Sequence, residues 1–394
     1  MPDSLWLLAL LLPIAVWMGY RIGRNKQSSS SPDSSRYFKG INYLLNEQPD
    51  KAIDVFIEQI QVDNDLVETH LALGNLFRRR GEVDRAIRIH QNLIARPKLD
   101  AELRNLALRE LAQDYLSVGL YDRAESLLQE LQKLDKYRVF ALQNLIAVYQ
   151  QLKDWPQAIT SALALQRHGD DTLITPLSHF YCELAELEFN NSDNKTAMVY
   201  LQKALKVDAT SLRANLLLSQ HYMQVCAYKK AQKVFILLSA NHICFLAEYI
   251  ADMRQCYLEL DQENQYLKVL AQAIEQGQNS HALPEYIKAL SSSREAAEIE
   301  KILLNQLRTH GTSICLLALL NFYRQHSDEL HQVRFQSIIQ SISGFQADAE
   351  NYLCGDCGYA SQNLQWQCPS CKLWGTMQPR DKSPINQSER LDAS

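Results

Sequence analysis

A pairing of a small residue with an aromatic one returns every 34 to 39 residues along the chain, and this spacing constrains the fold more than any other feature. Leu73-Gly74 with Phe77 is followed nine residues later by Ala86, Leu111-Ala112 with Tyr115 by Ala124, and Leu218-Ser219 with Tyr222 by Ala231. Leu145-Ile146 with Tyr149 leads in the same way to Ala158; Gly40 and Tyr43 with Ala52 open the series, and Leu184-Ala185 with Ala197 is a weaker member. A period of this length is that of one helical hairpin, stacked so that each unit buries its apolar face against its neighbours. The small residues stand where helices cross closely, and the aromatic fills the gap beside them. Pro49-Asp50, Gly81-Glu82-Val83-Asp84 and Asp154-Trp155-Pro156 supply turn or first-turn chemistry at the starts of second helices.

These are tetratricopeptide-like hairpins, and the expected architecture is an all-α tetratricopeptide-repeat superhelix over 36–345. About seven repeats can be read. After Asp252 the alanine position is taken by Tyr266, and the hairpins through Ala297 and Phe322 fit poorly. Such a solenoid presents one helix of each hairpin along a concave face that suits a peptide or protein. The face expected here carries Asn75, Arg78, Arg79, Arg109, Gln113, Gln143, Gln150, Arg213 and Gln220, amide and guanidinium donors for an acidic or main-chain ligand.

The chain then ends on a different kind of signal. Cys354-Gly-Asp-Cys357, ten residues, and Cys368-Pro-Ser-Cys371 form two knuckles that each aim two sulfurs at one point, so the four cysteines are expected to ligate one metal ion. The segment 351–380 is too short to order itself around an apolar core, so the metal supplies its folding free energy. Gly358 permits a left-handed turn after the first knuckle, with Lys372 in the equivalent place after the second, while Tyr352, Tyr359, Trp366 and Trp374 are expected to give the apolar cover. The pattern is that of a rubredoxin-like zinc ribbon. Four thiolates suit zinc or iron alike, so a structural staple, a metal-dependent docking surface and an electron-transfer centre all stay open. The short connection from Phe345 to Glu350, and the cost of leaving Trp366 and Trp374 exposed, imply that the module folds back on the repeats.

At the other end, Leu5–Tyr20 is an uncharged run of 16 residues, near the lower limit for crossing a bilayer, and Arg21, Arg24 and Lys26 follow it. A retained single-pass anchor over 1–24 is expected, with the positive flank and everything after it on the cytoplasmic side. The serine-rich stretch 25–35 reads as a flexible linker and 381–394 as a disordered tail. Cys182, Cys226, Cys244, Cys256 and Cys315 have no ligand spacing and read as buried reduced thiols.

Catalytic signatures are missing from the pattern. The ten histidines make no His-Glu-x-x-His pair, no phosphate-cradling glycine loop occurs, and the net charge of −5 comes with dispersed Lys and Arg, unlike a nucleic-acid footprint. Glu183, Glu186 and Glu188 fall on one helix and read as a solvated face. The chain therefore reads as a non-enzyme.

The anchor with its basic flank, the repeat array and the ending Tyr352-Leu-Cys354-Gly-Asp-Cys357-Gly358, Leu364-Gln-Trp366-Gln-Cys368-Pro-Ser-Cys371, Trp374 and Pro379-Arg380 together resemble the lipopolysaccharide assembly protein B (LapB/YciM) family over essentially the whole chain. The resemblance implies a bacterial inner-membrane adaptor facing the cytoplasm. It would promote turnover of the deacetylase LpxC by the protease FtsH and contact a YejM/PbgA-type membrane regulator, with Cys354, Cys357, Cys368 and Cys371 as metal ligands. An electron-transfer protein on a repeat scaffold and an envelope-assembly scaffold unrelated to proteolysis are the alternatives.

Overall fold

A computed structural model describes residues 39–43, 67–97, 99–167, 171–275, 281–291, 294–347 and 350–380, with isolated positions between 46 and 55. The expected anchor, linker and tail lie outside these residues. Among the described residues no helix is long and apolar enough to cross a membrane. The chain divides into two compact units, one through His168 and one from Gly169 onward.

The first unit is a run of antiparallel helices: α1 (Val67–Arg79), α2 (Val83–Ile94), α3 (Ala101–Ser117), α4 (Tyr121–Leu131), α5 (Asp135–Leu152) and α6 (Trp155–Gln166). The repeat residues sit where the spacing places them. Leu73, Gly74 and Phe77 of α1, Leu111, Ala112 and Tyr115 of α3, and Leu145, Ile146 and Tyr149 of α5 are buried, as are Ala86, Ala124 and Ala158 near the starts of the second helices. Gly81 turns the chain between α1 and α2 at φ +85°, and Gly119 does so between α3 and α4 at φ +74°, conformations glycine adopts without a Cβ penalty. Asp154 caps α6 by accepting from the Gln157 amide, with Pro156 in the first turn.

The second unit continues the pattern with α7 (Ile174–Asn190), α8 (Asn194–Val207), α9 (Leu212–Gln224) and α10 (Tyr228–Asn241). A 3₁₀ turn, Ile243–Glu248, interrupts it before α11 (Ile250–Glu259), α12 (Glu263–Glu275), α13 (Ala282–Leu290), α14 (Ala296–His310), α15 (Ser313–Gln325) and α16 (Glu329–Ala347). The hairpins that fit the pattern poorly still pack. Tyr266 replaces the small residue at the start of α12 and is buried, stacked at a tilt on Tyr257 of α11 with ring centroids 5.9 Å apart. One continuous core joins these helices through Phe235, Tyr249, Tyr257, Leu270, Leu303 and Phe322.

Three short strands close the unit: β1 (Tyr352–Cys354), β2 (Ala360–Ser361) and β3 (Met377–Pro379). β1 is central and antiparallel to both neighbours, with Leu353 opposite Ala360 on one side and Gln378 on the other. The expectation of five buried thiols is corrected at one position. Cys182, Cys256 and Cys315 are buried and Cys244 is half-buried, but Cys226 is exposed, because it occupies the left-handed turn at φ +54° that ends α9.

Candidate metal centre

The two knuckles are near copies of each other. After the first, the Gly358 amide donates to the Cys354 carbonyl at 3.0 Å; after the second, the Lys372 amide donates to the Cys368 carbonyl at 2.9 Å. Both turns need a left-handed residue, met by Gly358 at φ +74° and by Lys372 at φ +62°. The sulfurs of Cys354 and Cys371 are 3.7 Å apart, those of Cys357 and Cys368 3.6 Å, and all four lie within 4.8 Å of one another. A tetrahedron built on metal–sulfur bonds of about 2.3 Å has edges of roughly 3.8 Å, so the thiols fit a single four-coordinate ion. Cys354, Cys357, Cys368 and Cys371 would hold that ion, and its chemistry there is to lock the knuckles together. Zinc and iron both accept this donor set.

Hydrogen bonds prepare some of the sulfurs for ionisation. The Thr376 hydroxyl, then the Cys357 amide, pull the Cys354 thiol down to about 6. The Tyr359 amide lowers Cys357 in the same way. At Cys371 the Leu373 amide acts in that direction too, but burial and the neighbouring sulfurs outweigh it and leave the thiol raised to about 12. Four thiols this close cannot all ionise unaided, and a cation is what permits it.

The apolar cover differs from the sequence expectation. Tyr359 is 38% exposed and covers little, whereas Trp374 is 8% exposed and faces out of the module onto the repeats. Its ring stacks on His179 of α7 at 5.0 Å and meets Phe180 edge-on at 5.8 Å. Trp366 lies over the guanidinium of Arg213 of α9 at 5.6 Å. The Tyr352 hydroxyl donates to Glu248, and Phe245 of the 3₁₀ turn packs with Tyr352, Cys354, Cys368 and Met377. The module is therefore fastened to α7, α9 and the 3₁₀ turn, elements of its own unit. At the seam, burial and then the charge of Arg213 lower His179 to about 3, so its imidazole is neutral. Burial and Glu248 push the Tyr352 phenol up.

Arg213 was expected on an open groove, and its environment corrects that. It is 2% exposed, and its guanidinium is paired with Glu183 at 2.8 Å and Glu186 at 3.0 Å. The same two bonds correct the solvated-face reading of Glu183 and Glu186, whose partner lies 27 or more residues away and leaves no local sequence trace. Arg78 is likewise committed within the first unit: it donates to Asp114, Glu110 and Gln113, each at 2.8 Å, which occupies Gln113 as well. Asp114 in turn accepts from His90 Nδ1 at 2.6 Å, both residues being fully buried. Arg109 lies over the Phe140 ring at 5.2 Å. Arg79 and Gln143 are exposed, Asn75 and Gln150 half-buried. In the second unit Gln220 is exposed and borders a hollow with Asn194 and His221.

Fold and site together define a class: a tetratricopeptide-type helical-repeat protein carrying a C-terminal four-cysteine metal module. A rubredoxin metal binding domain is matched by residues 352–379 and a tetratricopeptide repeat by residues 69–102. Lipopolysaccharide assembly protein B of Escherichia coli K12 is 35% identical over 382 residues, covering 95% of this chain and 97% of its own length. The protein of that name from Haemophilus influenzae is 31% identical over 388 residues, with 95% and 98% covered. The chain belongs to the lipopolysaccharide assembly protein B family.

Proposed function

We propose that this chain is a single-pass inner-membrane adaptor in lipopolysaccharide assembly, holding partner proteins with its cytoplasmic repeats. The name of its relatives supports the pathway. The resemblance of the whole chain to that family supports the finer reading: FtsH-dependent turnover of LpxC, with a YejM/PbgA-type regulator met through the anchor. In this reading 1–24 anchors the chain, 25–35 tethers it, 36–345 captures the client, 351–380 is the metal module, and 381–394 trails beyond it. The tether raises the local concentration of client and partner, so a modest groove affinity suffices.

The observation that carries the reading is the seam. Trp374 on His179 and Trp366 on Arg213 join the metal module to two different repeat helices, so the ion's binding free energy stiffens a protein-holding surface. A four-thiolate site keeps no open coordination position for substrate, which suits a structural role better than catalysis. The test is the lifetime of LpxC after protein synthesis is stopped, in cells whose own copy is replaced by this chain or by its Cys354→Ser/Cys357→Ser variant. The variant should lengthen that lifetime. Equal lifetimes would remove turnover from the proposal.

A further inference from the structure

We infer a second recognition site, in the first unit, for a peptide in which a carboxylate adjoins an aliphatic side chain. It deepens the adaptor reading by naming the chemistry of one partner segment. A hollow of about 490 Å³ opens between the end of α2, the turn that follows it, α3 and α4. Its floor is aliphatic, made by Leu99, Leu108, Leu111 and Leu127 from three successive pieces of chain. That volume lies within the range of small ligand pockets, roughly 300 to 1,000 Å³.

The rim sets the polarity. Arg96 and Arg104 both line the hollow, and among the described residues no Asp or Glu does. Arg96 donates to the imidazole of His70 at 3.1 Å, a partner that carries no compensating carboxylate. Arg104 is exposed on the first turns of α3 and has no ion pair among the described residues. Two guanidiniums without counter-charge beside an apolar floor are complementary to a carboxylate on an apolar body. Gln91 decides among such bodies. Its amide nitrogen is committed to Tyr115 Oη at 2.8 Å, which leaves its carbonyl oxygen as an acceptor at the rim. A peptide brings the N–H that this acceptor wants; an acyl carboxylate does not.

The experiment uses the full chain in detergent micelles and three fluorescein-labelled probes, Gly-Ser-Leu-Glu-Leu-Gly-Ser and its Leu-Gln-Leu and Ser-Glu-Ser counterparts, read by anisotropy. The Leu-Glu-Leu probe should bind at least about tenfold more tightly than either counterpart, the size expected when a charge-assisted bond or the aliphatic contact is lost. Arg104→Glu, an exposed substitution whose folding is checked by circular dichroism and metal content, should bring it to the level of Leu-Gln-Leu. Arg104→Lys should retain part of the preference. Equal binding of all three probes, an unaffected Arg104→Glu protein, or displacement by decanoate with no peptide preference would overturn the site. An LpxC lifetime that responds to Cys354→Ser/Cys357→Ser while the probes fail would sink this site alone; both failing would remove this site and turnover from the adaptor reading together.

Discussion

A Cβ on Gly74 would stand 2.3 Å from Nε2 of His90, whose ring is held in place by its bond to Asp114 and so has nowhere to go. Gly74→Ala should therefore lower stability by about 1–3 kcal/mol, the usual cost of overpacking a core, read as an earlier denaturant midpoint. Shortening the neighbour in the same chain, as His90→Ala, should recover part of the loss. Arg213 presents the opposite case, a charge whose surroundings were built for it. Arg213→Ala would leave Glu183 and Glu186 facing each other beneath Trp366 and should cost about 2 kcal/mol, less than a fully buried pair because both carboxylates retain some water. His179 makes the seam sensitive to acid. Its ordinary value is 6.5 and its folded value about 3, so the unfolded chain binds the proton more readily over that interval. Stability is fully present above pH 6.5 and falls as the pH drops toward 3, by up to about 1.4 kcal/mol per unit. Acid also strips thiolate-bound metal, so the informative quantity is a difference between variants. Wild type should lose more thermal stability between pH 7 and pH 5 than His179→Gln; identical losses would contradict the assignment.

At the scale of elements, the metal knuckles were legible because their chemistry is local: two Cys-x-x-Cys pairs and a left-handed residue after each are all within 30 residues. The helical hairpins were legible for a related reason, since the packing role of Leu73, Gly74, Phe77 and Ala86 recurs at Leu111, Ala112, Tyr115 and Ala124 and again at Leu145, Ile146, Tyr149 and Ala158. What escaped were pairings across long separations. Nothing near Glu183 announces Arg213, and nothing near Trp374 announces His179, because such contacts depend on how neighbouring hairpins stack. The tryptophans announced that the module docks on the repeats, because leaving them exposed would be costly, but not which residues receive them. Two outcomes follow for the module. Gly358→Ala forces a side chain into φ +74° and should weaken metal retention by about tenfold in a chelator competition, since strain of this kind costs roughly 1–2 kcal/mol. Removing the metal from wild type should shift tryptophan emission to the red as Trp374 leaves His179 and Phe180, while the far-ultraviolet helical signal stays nearly constant.

At the scale of the whole molecule, the metal centre and the neighbouring repeats should behave as one cooperative piece. Zinc-sized binding free energies, about 10–16 kcal/mol in small peptides, far exceed what a module of this length could gain from burial, and the seam passes part of that gain to α7 and α9. An adaptor benefits because a surface that is already ordered loses less entropy on capturing a client. Hydrogen–deuterium exchange on the full chain, metal-loaded and metal-free, tests this directly. Faster exchange on metal removal across Ile174–Asn190 and Leu212–Gln224, with Val67–Arg79 unchanged, is the predicted result. Exchange in those two helices that is indifferent to the metal would contradict the account.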